Sequence, residues 1–284
     1  MDKAGASVTG EVKTASTMSG FLHQVTPIIL TFNEAPNIAR TLAQLQWAKD
    51  VVVVDSFSTD QTLEILAKFN NVRCIQRPFD SHANQWSFAI KETGITTEWV
   101  LALDADYLLS DRLVQEMDAL SPNNDVSGYE TGFLYCIFGK PLRGTLYPPV
   151  TTLYRRKSGT YVQDGHTQRI RLPGVVHRLN SRILHDDRKP LSRWLASQTK
   201  YADQEAALLL SKPATELRIQ DRLRRLMVFT PWLVPLYCMT VGRGALDGWA
   251  GIYYSLQRGV AEAVLSLKLL EARLESWQEK SKHV

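Results

Sequence analysis

The chain has 284 residues, of which 44% are hydrophobic and 22% are charged, which is typical of a globular protein with a substantial core. Its formal net charge of +4 suits an anionic ligand or an anionic membrane surface and does not choose between them. The three cysteines are far apart and form no CxxC pair, which argues against a disulfide framework or a zinc site and favours a reducing cytoplasm.

Strands and helices are predicted to alternate along the first 120 residues. Residues 1–24, rich in small polar residues and without the apolar core of a signal peptide, are predicted to form a disordered tail. Apolar, β-branched runs then predict strands at 25–32, 51–54, 72–75 and 99–103. Each strand is followed by helical spacing of apolar residues, and the helix-start signals are Pro36, Ser58, Ser81 and Ser110. This alternation predicts an α/β fold with a mostly parallel sheet flanked by helices on both faces.

Polar side chains follow three of these predicted strands. Asn33 and Glu34 follow the first strand, Asp55 ends the second, and Asp104 and Asp106 follow the fourth. In open parallel sheets, ligands bind beyond the carboxyl ends of the strands. We therefore expect these side chains to meet at one edge of the sheet and to form a ligand site there.

The Asp104-Ala105-Asp106 triplet has the chemistry of a divalent-metal site. Two carboxylates one residue apart can both reach Mg²⁺ or Mn²⁺, which prefer oxygen ligands and share their shell with substrate phosphates. His185 is a candidate third ligand. The alternative is a strand end where Asp simply begins a turn, and the neighbouring polar strand ends favour the metal.

Further candidates have both a functional and a structural interpretation. Asp55 could accept a hydrogen bond from a ribose or a base, and Arg77 could contact a phosphate, although such residues often only cap turns or face solvent. Asp164, beside Gly165, is the candidate general base for an acceptor hydroxyl; a surface turn is the alternative. The sequence lacks GxGxxG, GxxxxGK[ST] and GxSxG motifs, which argues against dehydrogenases, P-loop NTPases and α/β-hydrolases.

Three ordered motifs between about Pro27 and Leu120 resemble those of family 2 glycosyltransferases. They are Thr31–Glu34 with Asn37-Ile38, the segment 53–62, and Leu103–Asp106. The resemblance implies a GT-A fold, which is Rossmann-like, and inversion at the anomeric centre. It implies that Glu34 and Asp55 hold the nucleotide and that the DxD carries metal and diphosphate. The full set of nucleotide-sugar candidates is Thr31, Asn33, Glu34, Asp55, Arg77, Gln85 and Asp104, and the metal candidates are Asp104, Asp106 and His185.

Within that family the chain resembles bacterial glucosyltransferases of lipopolysaccharide core assembly. It keeps Gln85 of their Gln-Arg-Asn element and shares the Leu246–Trp249 step, but it has Tyr107 where they favour an acidic residue after the DxD. Their Val-His-Glu element corresponds to 163–167 here. The resemblance implies a hexose donor such as UDP-glucose and a lipid-linked or lipopolysaccharide-type acceptor.

The composition changes beyond a predicted helix at Leu191–Leu210. We predict a GT-A domain at 25–211 and a helical, membrane-associated extension at 212–284. Four arginines in 217–226 precede a charge-free run at 226–242, which is shorter than a membrane span and contains two prolines. This pattern is typical of an interfacial or re-entrant element on an anionic leaflet. The alternative is a helical hairpin that packs on the catalytic domain or on a second subunit.

The leading hypothesis is an inverting transferase in the cytoplasm, held peripherally at the inner face of the plasma membrane. The expected partners are a nucleotide-sugar, a glycan or lipid-linked acceptor and a membrane surface, with no nucleic acid. A second hypothesis is a non-catalytic nucleotide- or glycan-binding subunit of a glycan-assembly complex, which the Tyr107 departure supports. A nucleotidyltransferase, which would release pyrophosphate, is third because its usual phosphate loop is missing.

Overall fold

The computed structural model describes residues 20–164 and 167–281, and at 163, 164, 167, 279 and 280 it describes the backbone alone. The strands are β1 (Val25–Thr31), β2 (Val51–Asp55), β3 (Val72–Gln76), β4 (Trp99–Asp104), β5 (Tyr107–Leu108), β6 (Val126–Ile137), β7 (Lys140–Pro141), β8 (Val150–Arg155), β9 (Thr160–Asp164), β10 (Thr167–Arg171) and β11 (Val175–His185). The α-helices are α1 (Ile38–Ala43), α2 (Thr62–Leu66), α3 (His82–Lys91), α4 (Asp111–Asp118), α5 (Leu191–Ser211), α6 (Ile219–Arg224), α7 (Thr230–Met239) and α8 (Trp249–Ser281).

A nine-stranded sheet with the order β3-β2-β1-β4-β8-β6-β11-β5 organises the molecule, and β7 pairs with β6. The first four strands in that order are parallel to one another. The centres of β1, β2 and β4 are buried, and every residue of Val51–Asp55 is buried, as expected for strands covered by helices on both sides. β3, at the edge of the sheet, exposes Arg73 and Cys74. The predicted α/β fold with a largely parallel, helix-flanked sheet is therefore confirmed.

The other half of the sheet is mixed. β8 is antiparallel to β4 and β6, β11 is parallel to β6, and β5 is antiparallel to the end of β11. This arrangement brings the last residues of β11 next to the segment that follows β4. The β9–β10 hairpin lies apart from the sheet and packs on α3, where Tyr161 stacks on Trp86 with ring centroids 5.6 Å apart.

The structure differs from the sequence prediction at the start of the described chain and at one predicted helix cap. Residues 21–24 form a short 3₁₀ helix in which Phe21 and Leu22 are buried in the core, so these residues do not belong to the disordered tail predicted for 1–24. Residues 1–19 lie outside the described part. Ser81 and Ser110 cap α3 and α4 as predicted. Ser58 does not cap α2, since its hydroxyl bonds with groups at the ends of β1 and β2.

The helices after β11 form a layer of their own. α5 packs against α8 through Ala202, Ala206, Leu209, Leu265 and Leu269, so the boundary predicted between 211 and 212 separates helices that share one apolar cluster. α7 packs on the other end of α8. No described helix is long and apolar enough to cross a membrane. The three cysteines are free, which agrees with the sequence prediction.

Candidate functional site

The polar strand ends meet at one edge of the sheet, as the sequence predicted. Thr31 at the end of β1 is in register with Asp55 of β2, and Asp55 is in register with Gln76 of β3. On the other side of β1, Leu30 is in register with Asp104 of β4. The carboxyl ends of four parallel strands therefore lie side by side and present their polar side chains to the same region.

Asn33 joins the loops that follow β1 and β2. Its side-chain oxygen accepts hydrogen bonds from the backbone N–H groups of Thr59 (2.6 Å) and Asp60 (3.2 Å), and its own N–H donates to the Ser58 hydroxyl (2.7 Å). Asn33 has a φ of 56° and Phe57 a φ of 59°, which is the left-handed region. Both loops turn back sharply after their strands and are fixed to each other.

Asp55 holds the base of these loops. Its carboxylate is fully buried and accepts hydrogen bonds from the Thr31 hydroxyl (2.9 Å), the Ser58 N–H (2.8 Å) and the Gln76 amide (3.3 Å), as well as from the Ser58 hydroxyl. A carboxylate has about four acceptor positions. Asp55 fills them with protein donors in this structure, so it acts as a clamp between strand ends.

Glu34 forms a buried ion pair with a residue that the sequence analysis missed. Only 9% of Glu34 is exposed, and its carboxylate accepts hydrogen bonds from the Lys189 ammonium (2.7 Å) and the Asn37 amide (3.0 Å). Burial raises the pKa of Glu34, and Lys189 only partly opposes this effect. Burial would lower the pKa of Lys189, but Glu34 and nearby aspartates raise it, so the ammonium stays charged. The signal in the sequence was the charged run Asp186-Asp187-Arg188-Lys189.

A network around Asn37 and Asp186 holds this charged run over the site. The Asp186 carboxylate accepts from Arg40 (2.7 Å), from Arg188 (2.9 Å) and from the Gly139 N–H (3.0 Å). The fully buried Asn37 accepts from the Arg188 N–H at 2.9 Å. Burial would raise the pKa of Asp186, and these bonds lower it instead. Residues 186–189 therefore have a fixed path from the end of β11 to the loop after β1.

Asp106 and His185 lie between the strand ends and this segment. The His185 Nε2 and Asp106 Oδ2 atoms are 3.2 Å apart. Burial and the charge of Asp106 raise the pKa of Asp104, whereas His185 overcomes the effect of burial on Asp106 and holds its pKa near 2. Burial would lower the pKa of His185, and Asp106 raises it. The second carboxylate oxygen of Asp106 is buried without a hydrogen-bond partner.

A divalent cation fits the two aspartates of this site. Among the described residues, no group of three or more His, Cys, Asp or Glu side chains is arranged to hold a metal ion, so the predicted set of Asp104, Asp106 and His185 is not assembled as a three-residue cage. The orphaned Asp106 oxygen is nevertheless an acceptor that requires a cation or a donor. Asp104 and Asp106 would supply two oxygen ligands to Mg²⁺ or Mn²⁺, with phosphate oxygens as further ligands.

Tyr107 has a structural role at this site. The His185 ring lies among Tyr107, Tyr135 and Tyr147, with ring centroids 4.8–5.2 Å away, and the hydroxyls of Tyr107 and Tyr147 are 2.9 Å apart. Edge-to-face packing of this kind fixes the orientation of the imidazole toward Asp106. Tyr107, the residue that directly follows the DxD, therefore supports His185.

We expect His185 to make the stability of the metal-free protein depend on pH. Because its pKa is raised from 6.5 in the folded state, its contribution is fully present below pH 6.5 and is lost as the pH rises through the folded pKa. One proton gives a slope of at most about 1.4 kcal/mol per pH unit. Denaturant unfolding of the wild type and His185→Gln between pH 6 and 9 measures it. The glutamine amide can still donate to Asp106 but does not titrate, so equal slopes in the two proteins would contradict the assignment.

Gln85 and Arg77 support the loop after β2. The fully buried Gln85 donates to the Ser56 hydroxyl (3.0 Å) and accepts a hydrogen bond from Arg77. The Arg77 guanidinium also pairs with Asp80 (2.9 Å). The predicted base Asp164 ends β9, and its side chain lies outside the described part of the structure.

The strand ends of this site lie within a segment that matches a known protein family. Residues 26–158 match the family model for glycosyl transferase family 2. An uncharacterized glycosyltransferase of Rickettsia bellii is 26% identical over 214 residues, which cover 69% of this chain and 71% of the relative. Uncharacterized glycosyltransferase RP128 of Rickettsia prowazekii is 27% identical over 206 residues, which cover 67% of this chain and 70% of the relative.

Two solved structures are similar to this chain at low sequence identity. S. aureus TarS 1-349 in complex with UDP-GlcNAc has 14% identity and a TM-score of 0.45, with 90% of this chain and 92% of that chain covered. Glucosyl-3-phosphoglycerate synthase from Mycobacterium tuberculosis in complex with Mn²⁺, UDP and glucosyl-3-phosphoglycerate has 14% identity and a TM-score of 0.40, with 65% and 78% covered.

Proposed function

We propose that this chain is a family 2 glycosyltransferase that transfers a hexose from a nucleotide-sugar with inversion. Residues 26–158 match the model of that family, and similar rickettsial proteins are described as uncharacterized glycosyltransferases. The proposed acceptor is a lipid-linked or lipopolysaccharide-type glycan at the cytoplasmic face of the membrane, and UDP-glucose is the first donor to test. The observation that carries the proposal is the alignment of Thr31, Asp55 and Asp104 at one sheet edge. Asp106, the second carboxylate of the DxD, follows Asp104 by two residues.

The nucleotide half of the site is built from the loops after β1 and β2. Glu34 is the proposed nucleotide contact, because it follows β1 at the carboxyl edge of the sheet, where its carboxylate pairs with Lys189. Thr31, Asn33 and Asp55 shape these loops through the hydrogen bonds described above. Gln85 and Arg77 support the loop after β2. The exposed part of the Arg77 guanidinium is the proposed phosphate contact.

The diphosphate half is formed by Asp104 and Asp106. A divalent cation bound by their carboxylates would neutralise the charge that develops on the diphosphate as the sugar bond breaks. Lys189, whose ammonium is 2.7 Å from the Glu34 carboxylate and whose charge helps to lower the pKa of Asp106, lies next to both halves of the site. Asp164 remains the proposed general base that takes the proton of the acceptor hydroxyl.

Donor binding and turnover can be measured separately. We expect a nucleotide-sugar with Mn²⁺ to raise the thermal unfolding midpoint, because a ligand at 100 times its Kd stabilises the folded state by about 2.7 kcal/mol. A panel of UDP-, GDP- and dTDP-sugars, with and without Mn²⁺, tests this, and release of the free nucleoside diphosphate reports turnover. Failure of the whole panel to stabilise the protein would contradict the proposal. Stabilisation without turnover would favour the non-catalytic binding subunit, and pyrophosphate release a nucleotidyltransferase.

A further inference from the structure

Helix α7 is apolar on its exposed side as well as on its buried side. Cys238 and Val234 pack into a cluster with Ile137, Leu142 and Tyr254, which attaches α7 to the catalytic domain and to α8. A helix at a protein surface ordinarily has polar residues on its outer side. The sequence analysis treated packing on the catalytic domain and contact with a membrane as alternatives for this segment. In the structure one side of α7 packs on the domain, and the opposite side is free for a different contact.

The exposed side continues beyond α7 in both directions along the chain. We name it the apolar α7 face, and its side chains are between 49% and 83% exposed. They are Val228, Phe229, Trp232, Leu233, Leu236, Tyr237, Val241, Leu246 and Trp249. Large contiguous apolar patches of this kind mark interaction sites on soluble domains.

The charged residues of segment 222–246, which carries most of the apolar α7 face, are all arginines. No Asp or Glu occurs from Arg222 to Leu246, and the exposed Arg222 and Arg243 lie before and after α7. The two acidic residues nearest in sequence, Asp221 and Asp247, are turned toward Arg224 and Arg143 of the protein. An apolar surface bordered by arginines, with tryptophan and tyrosine among its residues, is complementary to the headgroup region of an anionic bilayer.

The dimensions of α7 favour contact in the plane of the bilayer. Its ten residues give a length of about 15 Å, half of the roughly 30 Å hydrocarbon core. Pro231 and Pro235 lie within the helix, and no described helix can cross a membrane. A second copy of this chain would bring Arg222 and Arg243 of two identical faces together, which is electrostatically unfavourable.

We propose that the apolar α7 face docks peripherally on the surface of a bilayer that contains anionic phospholipid, with α7 parallel to the membrane. Tyr254, in the cluster beneath α7, lies 5.2 Å from Tyr135, which is 4.9 Å from His185. The docked face and the Asp104–Asp106 site are thus joined through a few aromatic side chains. If the proposed function is right, a lipid-linked acceptor in the docked bilayer would approach the Asp104–Asp106 site from the side of α7.

Vesicle co-sedimentation of the full chain tests the docking. We expect binding to vesicles of phosphatidylcholine with 30% phosphatidylglycerol, and at least tenfold weaker binding to pure phosphatidylcholine. The double variant Trp232→Glu/Leu236→Glu should lose at least tenfold in affinity for the anionic vesicles. Arg222→Gln/Arg243→Gln should lose most of the preference for phosphatidylglycerol and the sensitivity to salt.

Trp277→Glu is the matched control. Trp277 is also exposed (62%) but lies 28 residues after Trp249 on the same helix, about 42 Å away, among Glu271 and Glu275. Its replacement should leave vesicle binding unchanged, and circular dichroism should show that every variant is folded.

Three outcomes would overturn the proposal. They are a wild type that ignores anionic vesicles, a double glutamate variant that binds like the wild type, and a dimer in sedimentation velocity that this variant dissociates without any lipid binding. The result is independent of the proposed chemistry, because vesicle binding needs no donor. Vesicle binding without donor turnover would refute the proposed function and leave the docking proposal standing. Donor turnover without vesicle binding would refute the docking proposal and leave the proposed function standing.

Discussion

Asp106→Asn is expected to reduce sugar transfer and donor hydrolysis by about 10³-fold or more. Stabilisation of a leaving diphosphate by a carboxylate-bound cation contributes several kcal/mol, and about 4 kcal/mol corresponds to a factor of 10³ in rate. Asp106 carries the only oxygen of the DxD pair that is buried without a hydrogen-bond partner among the described residues. Release of nucleoside diphosphate, measured at saturating donor and Mn²⁺, gives the change.

The fold should survive this substitution, since asparagine keeps the side-chain shape, relieves the repulsion from Asp104, and leaves a histidine that can lose its proton instead of a permanently charged partner. Asp50→Asn makes the same chemical change at an exposed ion pair with Arg73 and should leave turnover unaltered. Turnover of Asp106→Asn within threefold of the wild type would exclude the DxD from the chemistry. A loss of similar size in Asp50→Asn would show that the effect is not specific to the site.

Asp55→Ala is expected to lower the free energy of unfolding by about 3 kcal/mol. The substitution leaves the buried Thr31 hydroxyl, the Ser58 N–H and hydroxyl, and the Gln76 amide without their acceptor, and each unsatisfied buried donor costs about 1–3 kcal/mol before relaxation. Asp55 also holds the loop after β2, which Asn33 links to the loop after β1. Donor affinity should therefore fall together with stability. Denaturant unfolding and thermal shift with donor measure the two effects.

Thr31→Val is the matched control for this loss. It removes a single donor from Asp55 and keeps the side-chain volume, so we expect a cost of about 1 kcal/mol. If Asp55→Ala were no less stable than Thr31→Val, the hydrogen bonds to Asp55 would not be what holds the two strand ends. If stability fell but donor affinity did not, the loops would have no part in binding.

The ionic arrangement of the site explains how it can hold so many charges in a small volume. Lys189 neutralises Glu34, and His185 neutralises Asp106 when its imidazole is protonated, so each half of the site then contains one internal ion pair. Both cations come from the end of β11 and the loop that follows it. Truncating one partner of such a pair is costly because it leaves the other charge buried and unpaired. Substitutions that remove Lys189 or His185 should therefore cost more stability than substitutions at exposed surface pairs.

The sequence determined the parallel half of the fold and the part of the site that it carries. Buried β-branched runs alternate with amphipathic helices, and a parallel sheet places the carboxyl ends of its strands at one edge, so the grouping of Thr31, Asp55 and Asp104 followed from local pattern. The DxD and the charge-free segment after Arg225 could also be recognised from the sequence, because each is defined by residues that are adjacent in the chain. The docking of that segment on a bilayer remains a proposal.

Tertiary structure alone decided the partners that come from distant parts of the chain. Lys189 reaches Glu34 across 155 residues and His185 reaches Asp106 across 79, and no local pattern encodes such pairs. The same holds for Ser58, which looked like a helix cap and instead bonds with Asp55 and Asn33, since the tertiary contact replaces the local one. Local periodicity thus specified which strand ends would meet, and long-range packing of β11 and its loop specified which charges each carboxylate would face.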